Sequence, residues 1–212
     1  MKITIFGSTG SLGSQCLQQA LDANHAITVL VRNAAKLTDE VSARMTVIEG
    51  NALAYEAVNK AIPAGTQAIL FAIGVDKNSP ADLCTQVTRV ILQVMREKKV
   101  PRLVWCGGGS TLTTDDVLTR GAKFVRWVSE KFMTVRHFDK EHQYALLQQT
   151  RDLTWLGVRP LQMLPGPRKG VYRLGYDSFS GFSKISFADC ADAMIRMLHD
   201  DTWVGKVPII QY

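Results

Sequence analysis

The sequence predicts an α/β fold, a doubly wound parallel sheet in a single domain, and three observations carry that prediction. Apolar runs of strand length alternate with stretches whose apolar residues recur at helical spacing. The first run breaks at a triplet of glycines that stands directly before the first helical stretch. No run approaches the roughly 20 apolar residues of a membrane-spanning helix, so each apolar segment is short enough to be a strand.

Residues 2–6 are mostly β-branched or aromatic and stop at Gly7, after which Cys16, Leu17, Ala20 and Leu21 repeat at helical spacing. A second strand, "AITVLV" at 26–31, ends at Arg32, and a third, "MTVIEG" at 45–50, ends at Gly50-Asn51. A short helix around 53–60 and a strand "QAILFAIG" at 67–74 follow. The helix expected over about 80–98 is the best marked: Ser79-Pro80-Ala81-Asp82 offers a cap, a first-turn proline and an acid, and Leu83, Val87, Val90, Ile91 and Val94 form its apolar stripe. "RLVWC" at 102–106 is the next strand and runs into Gly107-Gly108-Gly109-Ser110. A helix over about 138–150 and a strand "LTWLGVRP" at 153–160 complete the alternation.

Residues 161–212 read as an extension that shapes the substrate side. They contain a Pro/Gly-rich loop at 162–170, "GVYRLGY" at 170–176, and a helix that Ser186 and Asp189 would open as a capping box. A last short strand, "KVPII", ends the extension.

Composition narrows the class. The chain has 212 residues, 46% hydrophobic, with a formal net charge of +6 and a pI near 9.2, which fits a packed globular protein; the charge is compatible with an anionic ligand, nucleic acid or nothing specific, and no specific nucleic-acid partner is expected. The opening Met1-Lys2 runs straight into a strand without an apolar signal segment, so a cytoplasmic location is expected. Cys16, Cys84, Cys106 and Cys190 are scattered in apolar surroundings and lack CxxC spacing, which argues for reduced thiols and against zinc. His137 and His142 flank a helix start near the expected site entrance and read as exposed helix histidines, with proton donation as the alternative and no metal spacing.

Gly7-x-x-Gly10-x-x-Gly13 lies between a strand and a helix. There a backbone free of side chains can approach a pyrophosphate at the positive end of a helix, the arrangement of a Rossmann-like dinucleotide site. Gly7, Thr9, Gly10, Ser11, Leu12 and Gly13 are therefore the expected phosphate cradle. At the end of the second strand an acid would hydrogen-bond a ribose 2′-hydroxyl, but Arg32 stands there, with Lys36 nearby. A guanidinium binds a 2′-phosphate bidentately, which predicts NADP. Asn51 and the Ala72-Ile73-Gly74 turn fall where adenosine would lie, and Cys106-Gly107 where the chain would meet the nicotinamide end.

With these residues in view the chain resembles the atypical short-chain dehydrogenases/reductases of the NAD(P)H-binding, NmrA-like branch. "TIFGSTGSLG", "ITVLVRN", "VIEGNAL", "LTWLGVRP" and "ISFADCADAMIRML" follow the family's landmarks in order along nearly the whole chain. The resemblance implies an NADPH-dependent reductase that passes hydride to a planar acceptor, a flavin, bilin or quinone. It also implies a rival without catalysis, an NADP-sensing regulator with a protein or nucleic-acid partner; a sugar-nucleotide or isoflavone-type enzyme is a third reading, disfavoured by the short tail.

Two departures bear on the chemistry. The YxxxK pair of short-chain dehydrogenases is not present as such: Tyr144 is followed by Gln148, and Lys140 precedes Tyr144 by four, which reads as a surface pair. After Cys106, where flavin and bilin reductases of this kind place threonine and serine, the chain has three glycines before Ser110 and Thr111. Ser110 and Tyr144 are thus the candidate catalytic residues, and the glycines are candidates to make room for a bulky ring.

The segment 115–136 combines an apolar stripe, Phe124, Trp127, Val128 and Phe132, with Lys123, Arg126, Lys131 and Arg136. It is expected to be a packed helix over the sheet edge, with a lid or an interfacial membrane helix as alternatives. Trp105, Tyr172, Tyr176, Phe179 and Phe182 are aromatic candidates for stacking on a planar ligand or for packing the tail.

Overall fold

A computed structural model describes residues 1–75, 79–117, 119–177 and 183–212. β1 (Lys2–Phe6) leads into α1 (Ser11–Asp22), β2 (Ala26–Val31) into a 3-10 turn and the short α2 (Asp39–Ser42), and β3 (Thr46–Glu49) into α3 (Tyr55–Ala61). β4 (Ala68–Phe71) precedes α4 (Leu83–Lys98), and β5 (Arg102–Cys106) precedes two helices, α5 (Arg120–Phe132) and α6 (Thr134–Gln149). Then come β6 (Thr154–Pro160), β7 (Gln162–Leu164), β8 (Arg173–Gly175), β9 (Lys184–Ser186), α7 (Phe187–Arg196) and β10 (Ile209–Gln211).

The main sheet runs β3-β2-β1-β4-β5-β6-β10-β8 and is parallel except where β8 pairs antiparallel with β10. Alternate side chains build two cores, one on each face. Ile3, Ile5, Leu70, Val104 and Val158 join α1 and α7, whereas Phe6, Ile69, Phe71, Leu103 and Trp105 join α3, α4 and α6. This is the Rossmann-like doubly wound arrangement, and near-continuous apolar runs are what strands covered on both faces require.

Within residues 161–212, β8 and β10 join the main sheet, and β7 and β9 form a separate two-stranded sheet. β10 pairs with β6, and α7 lies beside α1, where the Gln19 side chain donates to the Ala188 carbonyl at 2.8 Å. The Pro/Gly-rich loop begins with a strand, β7, parallel to β9. Ser186 caps α7 by accepting from the Asp189 amide at 2.9 Å. The buried Asp189 carboxylate accepts from the Lys169 and Gly170 amides at 2.8 Å and from the Tyr212 hydroxyl at 2.7 Å. It thereby ties loop, helix and last residue together.

Two local expectations are corrected, and one left open is decided for two of its residues. α4 starts at Leu83, three residues later than Pro80, and Asp82 at its cap position caps no backbone amide, its carboxylate accepting from the Gln86 side chain at 2.7 Å. Asp139 of α6 caps it instead, accepting from the Cys84 amide at 2.8 Å and from the Thr85 amide at 2.9 Å and hydroxyl at 2.8 Å. The segment 115–136 holds one whole helix and the start of another, broken at Met133, and its apolar stripe faces outward, with Phe124, Trp127 and Phe132 exposed. Trp105 is fully buried and Tyr172 donates its hydroxyl to Asp192 at 2.7 Å, so both are packing groups; Phe179 and Phe182 lie outside the described residues.

Candidate functional site

Strand order reverses between β1 and β4, so a crevice opens beyond their carboxyl ends, where α/β sheets bind ligands. Gly7 lines it with φ +88°, and a Cβ there would stand 2.7 Å from the Ala72 carbonyl group. A Cβ on Gly13 would stand 1.9 Å from the Gly7 oxygen. Both positions admit only glycine, because the turn and α1 press against each other and against the start of the Ala72–Gly74 turn.

Gly10 is different. It is exposed, and a Cβ there would meet only the Gly7 oxygen at 3.4 Å, an ordinary contact. It is the N-cap of α1 and has no side chain to cap with, and no acid lies in the first turn. The leading amides of Ser11, Leu12 and Gly13 therefore lack a side-chain acceptor and keep their partial positive charge. Thr9 and Ser11 are exposed, Leu12 is buried and offers its amide alone, and the buried Ser8 hydroxyl has no partner among the described residues. A cradle closed to side chains, an uncapped helix and an orphaned hydroxyl fit an anionic phosphate ligand.

Arg32 and Lys36 are exposed beyond β2, and no described residue pairs with either. The Asn51 carboxamide oxygen accepts from the Leu53 amide at 3.0 Å, an Asx turn in which its NH₂ has no partner among the described residues. Gly74 has open space where a Cβ would be.

The other end of the crevice is more polar than the sequence suggests. Lys140 is only 7% exposed, so it is no surface residue. Its ammonium donates to the Cys106 carbonyl at 3.0 Å, the Ile73 carbonyl at 3.4 Å and Gln143 Oε1 at 3.0 Å, bridging the ends of β5 and β4, and lies 5.2 Å from the Phe71 ring centre. The glycines after Cys106 make no empty space. Gly107 and Gly109 extend the pairing with β6 through 2.8 Å and 3.0 Å bonds to the Val158 and Pro160 carbonyls. Their would-be Cβ positions are filled by the Trp105 ring and the Leu161 backbone.

That close packing delivers Ser110 to α6. Its hydroxyl lies 3.0 Å from His137 Nδ1, and the His137 ring is buried, one turn before Lys140. The expectation of an exposed histidine is therefore corrected for His137, although His142 is exposed. His137 Nε2 faces Glu141 at 3.6 Å and Glu130 at 3.9 Å, and Arg126 holds both carboxylates. Burial lowers the His137 pKa below the ordinary histidine value, against the opposing pull of Glu141, so near neutral pH the ring is uncharged. A hydrogen on Nε2 facing the carboxylates then leaves Nδ1 to accept from Ser110.

Tyr144 does not join this group. Its ring stacks on Trp105 at 6.3 Å and meets Trp155 edge-on at 6.2 Å, and its hydroxyl accepts from Gln148 a turn further along α6, away from Lys140. The four thiols are unpaired and buried, and burial pushes those of Cys16 and Cys84 up, which keeps them protonated. No group of His, Cys, Asp and Glu among the described residues is arranged to hold a metal ion.

A protein-family model described as NAD(P)H-binding matches residues 7–201, from the first glycine of the cradle to beyond α7. The chain belongs to this NAD(P)H-binding family. It is 28% identical over 214 residues to the uncharacterized protein YwnB of Bacillus subtilis, covering 93% of this chain and 92% of YwnB. Among solved structures it is similar to SP1627 of Streptococcus pneumoniae, provisionally named an NADH-flavin reductase, with 21% identity, a TM-score of 0.81 and 100% and 99% of the two chains covered. ChuY of Escherichia coli O157:H7, an anaerobilin reductase, shares 18% identity at a TM-score of 0.77, with 100% and 97% covered. A short-chain dehydrogenase/reductase of Veillonella parvula in complex with NADP shares 17% identity at a TM-score of 0.79, with 100% and 94% covered. These likenesses speak for the fold.

Proposed function

We propose that this protein is an NADPH-dependent reductase of planar conjugated acceptors, flavin, bilin or quinone, acting in the cytoplasm. The observation that carries the reading is the crevice itself: a glycine cradle and an unpartnered Arg32 at one end, and Lys140 with the Ser110–His137 pair at the other. In this reading the amides of Ser11, Leu12 and Gly13 hold the pyrophosphate, and Gly7, Thr9 and Gly10 line its approach. Arg32 binds the 2′-phosphate, Asn51 and Ala72-Ile73-Gly74 border the adenosine, and Cys106-Gly107 border the nicotinamide side. The bound reduced dinucleotide supplies hydride; the chain supplies orientation and a proton.

In this reading Ser110, 3.0 Å from His137 Nδ1, delivers that proton. His137 first takes a proton from solvent onto Nδ1, and Glu130 and Glu141 stabilise the charged ring; as the Ser110 hydroxyl then gives its hydrogen to the reduced acceptor, Ser110 Oγ takes one from Nδ1 and the ring returns to its neutral form. Tyr144 has no part in this step, since its hydroxyl is held by Gln148.

The test is steady-state oxidation of NADPH and of NADH with FMN, a bilin and a quinone as acceptors. NADPH is expected to be preferred by about tenfold or more, ~1.4 kcal/mol per factor of ten, and Arg32→Ala to bring the two coenzymes near parity. Tight NADPH binding without turnover on any acceptor would overturn the enzyme reading in favour of the sensing one.

A further inference from the structure

α5 is packed inside out. Its inward face is small, Ala122 and Ser129, with Val125 beside Leu161 and Ile209. Its large apolar side chains point away from the protein: Phe124 is 61% exposed, Trp127 52% and Phe132 76%. The three rings gather on the outside, Phe124 stacked on Trp127 at 6.0 Å and Phe132 meeting Trp127 edge-on at 6.4 Å. Met133 and Val135, where α5 turns into α6, are exposed as well. An apolar cluster of this kind on a water-facing helix marks an interaction surface.

The charges around it select the partner. Arg120, Lys123 and Lys131 are exposed, and no described acid pairs with any of them. Of the three acids of this helix pair, Asp139 is buried against the start of α4, and Glu130 and Glu141 are both held by Arg126, at 2.8 Å and 2.7 Å. The rim is therefore cationic. A second copy seated on this face by two-fold symmetry would set one cationic rim against another. A sheet of anionic headgroups over an apolar interior matches both the rim and the rings.

We propose that α5 docks the protein on anionic phospholipid bilayers, with Phe124, Trp127 and Phe132 entering the headgroup layer and Lys123 and Lys131 on the phosphates. The contact is peripheral, since no described helix is long and apolar enough to cross a membrane. It is independent of any catalytic reading.

Sedimentation of the full chain with sucrose-loaded vesicles tests it. Vesicles of phosphatidylcholine mixed with phosphatidylglycerol should carry the protein down, and phosphatidylcholine alone should not. Raising salt from about 0.1 M to about 1 M, which shortens the screening length from ~10 to ~3 Å, should release it. Lys123→Glu with Lys131→Glu, and separately Phe124→Ser with Phe132→Ser, should each lower partitioning about tenfold or more. Because these side chains are exposed, both variants should keep the wild-type circular dichroism and melting temperature. Failure to sediment with the anionic vesicles, or sedimentation that ignores salt and charge reversal, would overturn the proposal. So would a dimer in velocity sedimentation that the serine variants abolish while wild type ignores vesicles, which would make the face a contact between copies.

Discussion

Gly10 separates two reasons a chain can have for glycine. At Gly7 and Gly13 the protein itself forbids a side chain, since added carbons would lie 2.7 Å and 1.9 Å from backbone atoms. At Gly10 the protein does not forbid one: φ −85° and ψ 167° suit any residue, and an added methyl carbon would stand 3.4 Å from its nearest neighbour. Any penalty for alanine at this position must come from a ligand that approaches the backbone. Gly10→Ala is therefore expected to leave the melting temperature within about a degree or two, equivalent to less than ~0.5 kcal/mol. It should weaken NADPH binding about tenfold in a calorimetric titration. Unchanged binding would mean that the phosphates sit elsewhere; Gly13→Ala, which loses the fold as well, cannot make that distinction.

At the scale of elements, the sequence is a good guide wherever the cause is local. The strands of the sheet's centre, the placement of the glycine turn and the Ser186 cap are all legible, because each follows from a few adjacent residues. It misleads where the cause is distant. The Ser79–Asp82 stretch has the composition of a helix start, yet the amides of α4 are capped by Asp139, 54 and 55 residues further along the chain. Lys140 and His137 look like members of a charged, solvent-facing helix, and only the pressing of α6 onto the ends of β4 and β5 buries them. The stripe of α5 has the right period for a core helix, but nothing in one helix's pattern says which way the stripe will face. Asp139 gives this lesson a measurement. Asp139→Ala removes three bonds to a buried carboxylate and bares the first turn of α4, and is expected to cost about 2–3 kcal/mol in urea unfolding. Asp82→Ala, which removes no capping bond, should stay within about 0.5 kcal/mol. Equal losses in the two variants would return the cap to the local sequence.

On the scale of the whole molecule, the question is what holds the Ser110 loop on the sheet. Arg159 at the end of β6 is fully buried. It pairs bidentately with the equally buried Asp116 at 2.6 and 2.8 Å, donates to the Val207 carbonyl at 2.6 Å and also bonds the Thr111 carbonyl. One guanidinium thus joins three parts of the fold: the central sheet, the approach to β10, and the 111–116 stretch that follows Ser110. Removing one partner strands a buried charge. Arg159→Met and Asp116→Leu alone are each expected to destabilise by about 3–5 kcal/mol, whereas the double variant, with neither charge left, should recover a large part of that loss. Activity should not recover with it. An apolar pair can fill the space but cannot hold the Thr111 carbonyl, so Ser110 would lose its fixed distance to His137. The expected outcome in the double variant is near-normal NADPH affinity, because the cradle after β1 is untouched, with kcat reduced about tenfold or more. A double variant restored in both stability and kcat would show that the ion pair is dispensable for positioning Ser110.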